Sequence, residues 1–141
     1  MNTPISDLNE LLRSIQPELI PGVYAFVSVS NREALGSAEV VATMREPEGL
    51  SAVIADADAA RLNLPILFRA AWIMLRVQSD LQAVGLTAAF SAALGRAGIP
   101  CNVVAGAWHD HLFVPVERAA EAMTALQRLQ RDAAAKPHPQ P

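Results

Sequence analysis

The sequence contains little of what most chemistry in proteins requires. It has a single cysteine, only 18% charged residues and 5% aromatic residues. The one cysteine, Cys101, excludes an internal disulfide bond and fits a reducing compartment, so we expect a cytoplasmic protein. The net charge is -3 and the basic residues form no stripe, so we expect no nucleic-acid partner.

Long hydrophobic runs are also missing, although 52% of the 141 residues are hydrophobic. The most apolar stretch, Leu62 to Val77, is interrupted by Pro65 and Arg69. A membrane helix needs about 20 consecutive apolar residues, so we predict no transmembrane span and no membrane partner. The segment Met1 to Glu10 has no basic region and no apolar core, so we predict no secretory signal. The apolar residues therefore belong to the core of one domain, or of two small units that share a core.

Catalytic and cofactor motifs are missing too. The sequence has no dinucleotide fingerprint, no phosphate-binding loop and no nucleophile elbow. His109 and His111 would share one face of a strand, but a zinc site needs three or four ligands and no second cysteine–histidine pair exists. We therefore predict no metal site, no cofactor and no enzymatic activity. One alternative stays open, in which Cys101 is a nucleophile and one of these histidines is its base.

Apolar periodicity and turn residues predict the order of helices and strands. Ser6 and Asp56 are predicted to cap the first two helices, and Pro47-Glu48-Gly49 to close a hairpin. The predicted helices span 6–15, 56–63, 86–97 and 117–131, and the predicted strands span 23–29, 38–46, 50–55, 68–77, 101–107 and 111–116.

This order predicts an α+β fold. The second half has the pattern of a ferredoxin-like βαββαβ unit without its last strand, and a strand of the first half fills the gap. We therefore predict tandem, interlocked ferredoxin-like units with antiparallel sheets and helices on one face. The N-terminal unit covers 1–66 and the C-terminal unit covers 67–131. A disordered tail covers 132–141, because this segment has three prolines and little to bury.

The loop that enters the third predicted helix is the strongest candidate site. Gly85 allows a tight turn, and the N–H groups of Leu86, Thr87 and Ala88 lie in the first turn, where helix donors have no internal partner. Such a helix end attracts a carboxylate or a phosphate. The alternative is that water satisfies these donors, as at any helix start.

Three segments of the second half carry a family resemblance: Val84–Ala88, Ala97–Val104 and His109–Pro115. With these residues the chain resembles the ACT-domain superfamily. It is most similar to small bacterial tandem ACT-like proteins related to the regulatory domain of aspartate kinase and to the CASTOR-type arginine sensor. The resemblance covers most of the chain and implies βαββαβ units that bind small molecules, commonly amino acids, at interfaces between paired domains.

The resemblance also implies a ligand site. The amides of Gly85, Leu86 and Thr87 would hold the ligand's α-carboxylate. The superfamily often holds the ligand's amino group with an aspartate, and Asn102 at the matching position accepts a hydrogen bond without bringing a charge. Trp108 stands where the superfamily has hydroxyl side chains, and it either closes the pocket or packs. The residues assigned to ligand binding are Gly85, Leu86, Thr87, Ala88, Cys101, Asn102, Trp108 and His109.

These observations predict a regulatory protein without catalytic activity. It would bind a small molecule, most plausibly an amino acid, form a homodimer, and act on a regulated protein in trans, because ligand binding would favour one arrangement of its units. The alternative is an interaction or dimerisation module that binds no ligand.

Overall fold

The computed structural model describes residues 7–76 and 84–135. Two short 3-10 turns, Arg32–Leu35 and Val116–Arg118, accompany its regular elements. The helices are α1 (Leu8–Ser14), α2 (Asp56–Arg61), α3 (Leu86–Arg96) and α4 (Ala119–Ala135), and the strands are β1 (Pro17–Val29), β2 (Val40–Glu46), β3 (Gly49–Ala55), β4 (Phe68–Leu75), β5 (Asn102–Ala105) and β6 (Asp110–Pro115).

All of these strands form one curled antiparallel sheet in the order β2-β3-β1-β4-β6-β5. The first unit uses β1, β2 and β3, with β4 as the strand beside β1. The second unit uses β4, β5 and β6, with β1 as the strand beside β4. Each of the two central strands is therefore the first strand of its own unit and the last strand of the other. This confirms the interlocked ferredoxin-like units and shows that β1 supplies the strand missing from the second half.

Strand β1 starts earlier than the sequence predicts. Pro21 and Gly22 were expected to form a turn before the strand, but they lie in a register shift inside it, between Ile20 and Tyr24. The segment before the shift pairs with β4 alone, because β3 reaches β1 only from Tyr24 onward. A proline is tolerated there because that part of β1 is an edge. The predicted start at Val23 is therefore wrong.

The predicted caps of the first two helices need correction. In α1 the cap is Asp7, whose Oδ1 accepts from the Glu10 amide at 2.9 Å, and Ser6 lies outside the described residues. In α2 the N-cap is Ala55 and no side chain caps the helix. Asp56 is instead the first helical residue, and its carboxylate accepts from Arg69 at 3.0 and 2.8 Å.

Helix α4 continues into the predicted tail. It extends to Ala135, and Ala133 is buried. Gln130 Nε2 donates to the Arg13 carbonyl at 3.0 Å, so the last part of α4 packs along α1. The prediction of a disordered segment from residue 132 is wrong for 132–135, and residues 136–141 lie outside the described residues.

The helices cover one face of the sheet, as predicted, and form two clusters there. The cluster under α1, α3 and α4 includes Ile73, Phe90 and Leu112, and the cluster under α2 includes Val27 and Ile54. The opposite face carries no helix of the described chain. Five aromatic side chains meet on this helix-free face: Tyr24, Phe26, Phe68, Trp72 and Phe113.

Candidate functional site

The start of α3 has the geometry that the sequence predicts. Gly85 adopts the left-handed conformation with φ at 102° and forms the N-cap without a side-chain hydrogen bond. Its carbonyl accepts from the Ala89 amide at 2.9 Å, which begins the helix. Leu86 is buried, whereas Thr87 and Ala88 are exposed. Two residues of the first turn of α3, Thr87 and Ala88, therefore lie at the surface, and their backbone N–H groups have no partner inside the helix.

Helix α1 determines which side of this turn is open. A Cβ placed on Gly85 would lie 3.0 Å from Cδ2 of Leu8, so the α1 side of the loop is covered. A larger residue at position 85 would meet both this contact and the strain of a positive φ. Among the described residues, Thr87 and Ala88 form the exposed side of this turn.

Arg118 shows at which end of the sheet α3 begins. Its guanidinium donates to the carbonyl oxygens of Gly98 at 2.8 Å and Ala97 at 3.0 Å, just after α3. Arg118 follows β6, so the last residues of α3 and the last residues of β6 lie at the same end of the sheet. Helix α3 has 11 residues and is about 16 Å long. Its first turn therefore lies at the opposite end, which also holds the turn between β5 and β6.

The predicted ligand residues consequently divide into two groups. Trp108 and His109 lie in the turn between β5 and β6, at the same end of the sheet as the first turn of α3. Cys101 and Asn102 follow the C-terminal end of α3, at the other end. Asn102 pairs with Phe113, and its side chain projects on the helix-free face. Gly85 precedes α3 and Asn102 follows it, so within one chain the two residues lie at opposite ends of α3 and do not come together.

The geometry disfavours the thiol chemistry left open by the sequence. Burial raises the pKa of Cys101 to about 11, so the thiol is protonated at neutral pH. The histidines that could act as its base lie toward the far end of the strands, since His111 pairs with Val104 and not with the start of β5. Neither His109 nor His111 therefore forms with Cys101 a pair of the kind needed for nucleophilic catalysis.

The turn between β5 and β6 holds a small cluster of titratable groups. Trp72 Nε1 donates to Nδ1 of His111 at 3.0 Å, which requires that nitrogen to be unprotonated. Burial lowers the pKa of His111, and the neighbouring His109 lowers it further. Burial raises the pKa of the Asp110 carboxyl, and the two histidines partly oppose that shift. Nδ1 of His109 is buried without a hydrogen-bond partner among the described residues.

The N-terminal unit has a cleft where its own helix entry lies. The connection Ser30–Asn31 follows β1, the first strand of its unit, just as Gly85 follows β4. A cavity of about 510 Å³ lies between this connection and the β2–β3 hairpin, and its lining includes Arg32, Arg45 and two glutamates of the hairpin. The sequence patterns did not predict this cleft. The signal was the repeat itself, since a polar connection follows the first strand of each unit.

Within 7–76 and 84–135, no three histidine, cysteine, aspartate or glutamate side chains gather in a way that could hold a metal ion. Among the described helices, none is long and apolar enough to cross a membrane.

Comparison with known proteins assigns both halves of the chain. One ACT domain family model matches residues 3–71, and a second matches residues 68–128. A structure from Vibrio cholerae, described as a protein of unknown function and possible transport protein, is 43% identical with a TM-score of 0.80, over 87% of this chain and 95% of that one. A search of curated proteins gave no match.

More distant structures share the fold. A protein from Agrobacterium tumefaciens is 19% identical with a TM-score of 0.62, over 82% of this chain and 89% of that one. The ligand-free regulatory subunit of aspartate kinase from Thermus thermophilus is 10% identical with a TM-score of 0.61, over 82% of this chain and 98% of that one. At these identities the likeness concerns the arrangement of helices and strands alone.

Proposed function

The chain belongs to the ACT domain family, with two such domains in tandem, and on that premise we propose that it is a cytoplasmic sensor that binds an α-amino acid. ACT domains are regulatory rather than catalytic. The ligand would change the relative stability of two arrangements of the protein and so act on a regulated protein in trans. The regulatory subunit of aspartate kinase, which shares this fold, supports such a role.

One observation carries the proposal: the exposed first turn of α3. Gly85 provides no side-chain cap, and Thr87 and Ala88 are exposed residues whose N–H groups have no partner inside the helix, so they would be available to a ligand. A carboxylate at this position would accept charge-assisted hydrogen bonds and lie at the positive end of the helix dipole. Trp108 and His109 lie at the same end of the sheet, where they would contact the rest of the ligand.

A second copy of the chain would complete this site. Asn102 and Cys101 lie at the far end of α3 in one chain, so they can join Gly85 only from another molecule. Both edges of the sheet, β2 and β5, lack a partner strand among the described residues, and Asn102 begins β5. We therefore propose a homodimer in which Asn102 of one copy accepts from the ammonium group of a ligand held by α3 of the other.

The cleft of the N-terminal unit supports a zwitterionic ligand as well. Arg32 and Arg45 provide guanidinium groups for a carboxylate, and the glutamates of the hairpin provide acceptors for an ammonium group. A neutral or purely anionic ligand would leave one sign of charge in this cleft unmatched.

A pair of variants at one position tests the α3 site. Thr87→Pro removes one backbone N–H in the first helical turn, where that group has no partner inside the helix. Thr87→Ala keeps the N–H and removes only the side chain. Both variants are titrated with the twenty common amino acids by thermal shift, since a ligand of the folded state raises Tm by mass action.

We expect Thr87→Ala to keep the shift produced by the preferred amino acid and Thr87→Pro to lose it. No shift for the unmodified protein at millimolar concentrations would contradict amino-acid binding. Equal shifts in both variants would place the ligand away from α3.

A ligand-free interaction module is the second candidate function. It is favoured by large apolar side chains exposed near the sheet edges, since Met44 is 65% and Leu67 is 70% exposed. In that case the protein dimerises with the same affinity whether or not amino acids are present. Sedimentation equilibrium with and without the amino acid that shifts Tm distinguishes the two candidates.

A further inference from the structure

The two edge strands face each other across the helix-free side of the sheet. Because the sheet is curled, Ala42 on β2 and Val104 on β5 line the same space, although they belong to different units. Two adjoining cavities share these residues, with volumes of about 190 Å³ and about 60 Å³. We call the larger one the edge cleft. The smaller one lies beneath it and is lined by Trp72, His111 and Phe113.

The described residues that line the edge cleft carry no charge. Among them only Thr43 and Ser51 are polar, and the Ser51 hydroxyl already donates to a carboxylate oxygen of Glu46. A charged group placed there would lose its hydration without gaining an opposite charge, which is costly. The zwitterionic ligand proposed for α3 therefore does not fit this cleft. The remaining described residues that line it are apolar and include Phe26, Val53 and Leu67.

The size of the edge cleft matches one small ring system. An apolar protein cavity of about 150 Å³ binds benzene. At about 190 Å³ the edge cleft has room for a single substituted ring or two small fused rings. Phe26 lines the edge cleft, and its ring offers the edge or face contact that aromatic groups favour.

The mouth of the edge cleft is apolar as well. Met44, Leu67 and Val104 line the cleft and are all exposed. They come from β2, from the segment before β4 and from β5, so together they surround the opening from both units. A ligand in the cleft would remove part of this apolar surface from water and contact both units at once.

We propose that the edge cleft between β2 and β5 is a second ligand site, which takes a compact, uncharged aromatic or alicyclic molecule. It is separate from the start of α3, which lies on the helix-covered face. Since its ligand would connect the free edges of the two units, binding there would hold the curl of the sheet in one conformation. The proposal does not depend on amino-acid binding at α3.

Indole and tryptophan test the site as a pair, because they share a ring system and differ in the charged amino-acid group. The readout is the methyl NMR spectrum of the full chain, in which the methyl groups of Met44, Ala42 and Val104 report on the cleft. We expect indole to shift these resonances in a saturable way. Tryptophan at the same concentration should leave them unchanged.

Three variants locate the binding. Ala42→Phe fills the cleft, and Val104→Asp places a charge in it at an exposed edge position. Ala105→Asp is the matched control, because Ala105 is exposed, is next to Val104 on β5 and points to the opposite face. We expect indole affinity to fall at least tenfold in the first two variants and to stay unchanged in the control. Val104→Asp keeps the test valid if Ala42→Phe fails to fold.

Three results would overturn the proposal. The first is the absence of any shift of the cleft resonances with indole, and the second is equal indole affinity in both cleft variants and the control. The third is dissociation of a dimer by Val104→Asp with no indole binding in either form, which would show that a second copy fills the cleft. Thr87→Pro should leave indole binding intact, so failure at α3 and failure at the edge cleft are distinguishable.

Discussion

Replacing Phe113 with alanine should destabilise both units together. The ring of Phe113, on β6, is fully buried, and its centroid lies 5.4 Å from that of Phe26 and 6.1 Å from that of Trp72. Phe26 belongs to β1 and Trp72 to β4, so this side chain packs on both shared strands. Truncation of a buried phenylalanine to alanine costs about 3–5 kcal/mol, from lost transfer free energy and the cavity left behind.

The size of this loss of stability determines whether the Phe113→Ala variant still folds. A domain of this kind is stable by about 5–15 kcal/mol, so the variant should still fold but with much of its stability lost. At about 2–4 °C per kcal/mol for a chain of this size, Tm should fall by about 6–20 °C. Phe113→Leu keeps an apolar side chain at the same place and should lose much less.

Urea unfolding, followed by far-UV circular dichroism and by tryptophan fluorescence, measures the effect. If β1 and β4 are shared, the two signals should move to lower urea concentration together, as one transition. A loss below about 1 kcal/mol would refute the packing argument. Two separate transitions, with only one shifted by Phe113→Ala, would refute the interlocked arrangement.

Two partly buried side chains and two glycines predict further changes in stability and reactivity. Nδ1 of His111 accepts from Trp72, and the pKa of His111 is lowered from 6.5. The stability that neutral His111 contributes to the folded state should therefore be fully present above pH 6.5 and be lost as the pH falls through the lowered pKa. The Trp72 indole N–H resonance should be lost at that lower pH. Cys101, with its pKa near 11, should react with a thiol reagent at neutral pH roughly a hundredfold more slowly than in urea. Gly95→Ala should raise the free energy of unfolding by about 0.5–1 kcal/mol, because nothing lies near the Cβ position of residue 95. Gly49→Ala should lower the free energy of unfolding by more than this amount, because φ of Gly49 is 154° and the Cβ would lie 2.7 Å from the Val29 carbonyl oxygen.

Local sequence patterns predicted most of the fold, and long-range pairing explains where they failed. Pro47-Glu48-Gly49 and the alternation around it correctly indicated the β2–β3 hairpin. Pro21-Gly22 has the composition of a turn, and only the pairing of Pro17 to Ile20 with β4 keeps that segment in the sheet. That partner lies more than fifty residues away, so no local pattern reveals it.

The candidate site was predictable at Gly85 and not beyond it. A glycine before an amphipathic helix indicates a left-handed N-cap, and the structure has one. The family pattern placed Asn102 beside it, but that pattern does not say which residues come from one chain. The order strand, helix, strand already implied the separation, since the ends of α3 are a helix length apart. The edge cleft forms because the curl of the sheet brings Ala42 close to Val104, and no local sequence pattern predicts that curl.

We propose that the first turn of α3 holds the carboxylate of an amino acid. The ¹H–¹⁵N spectrum of the full chain, recorded during titration with the amino acid that raises Tm, tests this role. We expect the amide resonances of Leu86, Thr87 and Ala88 to move most among the backbone signals and to saturate together. Saturable binding that leaves these three amides unmoved would contradict it.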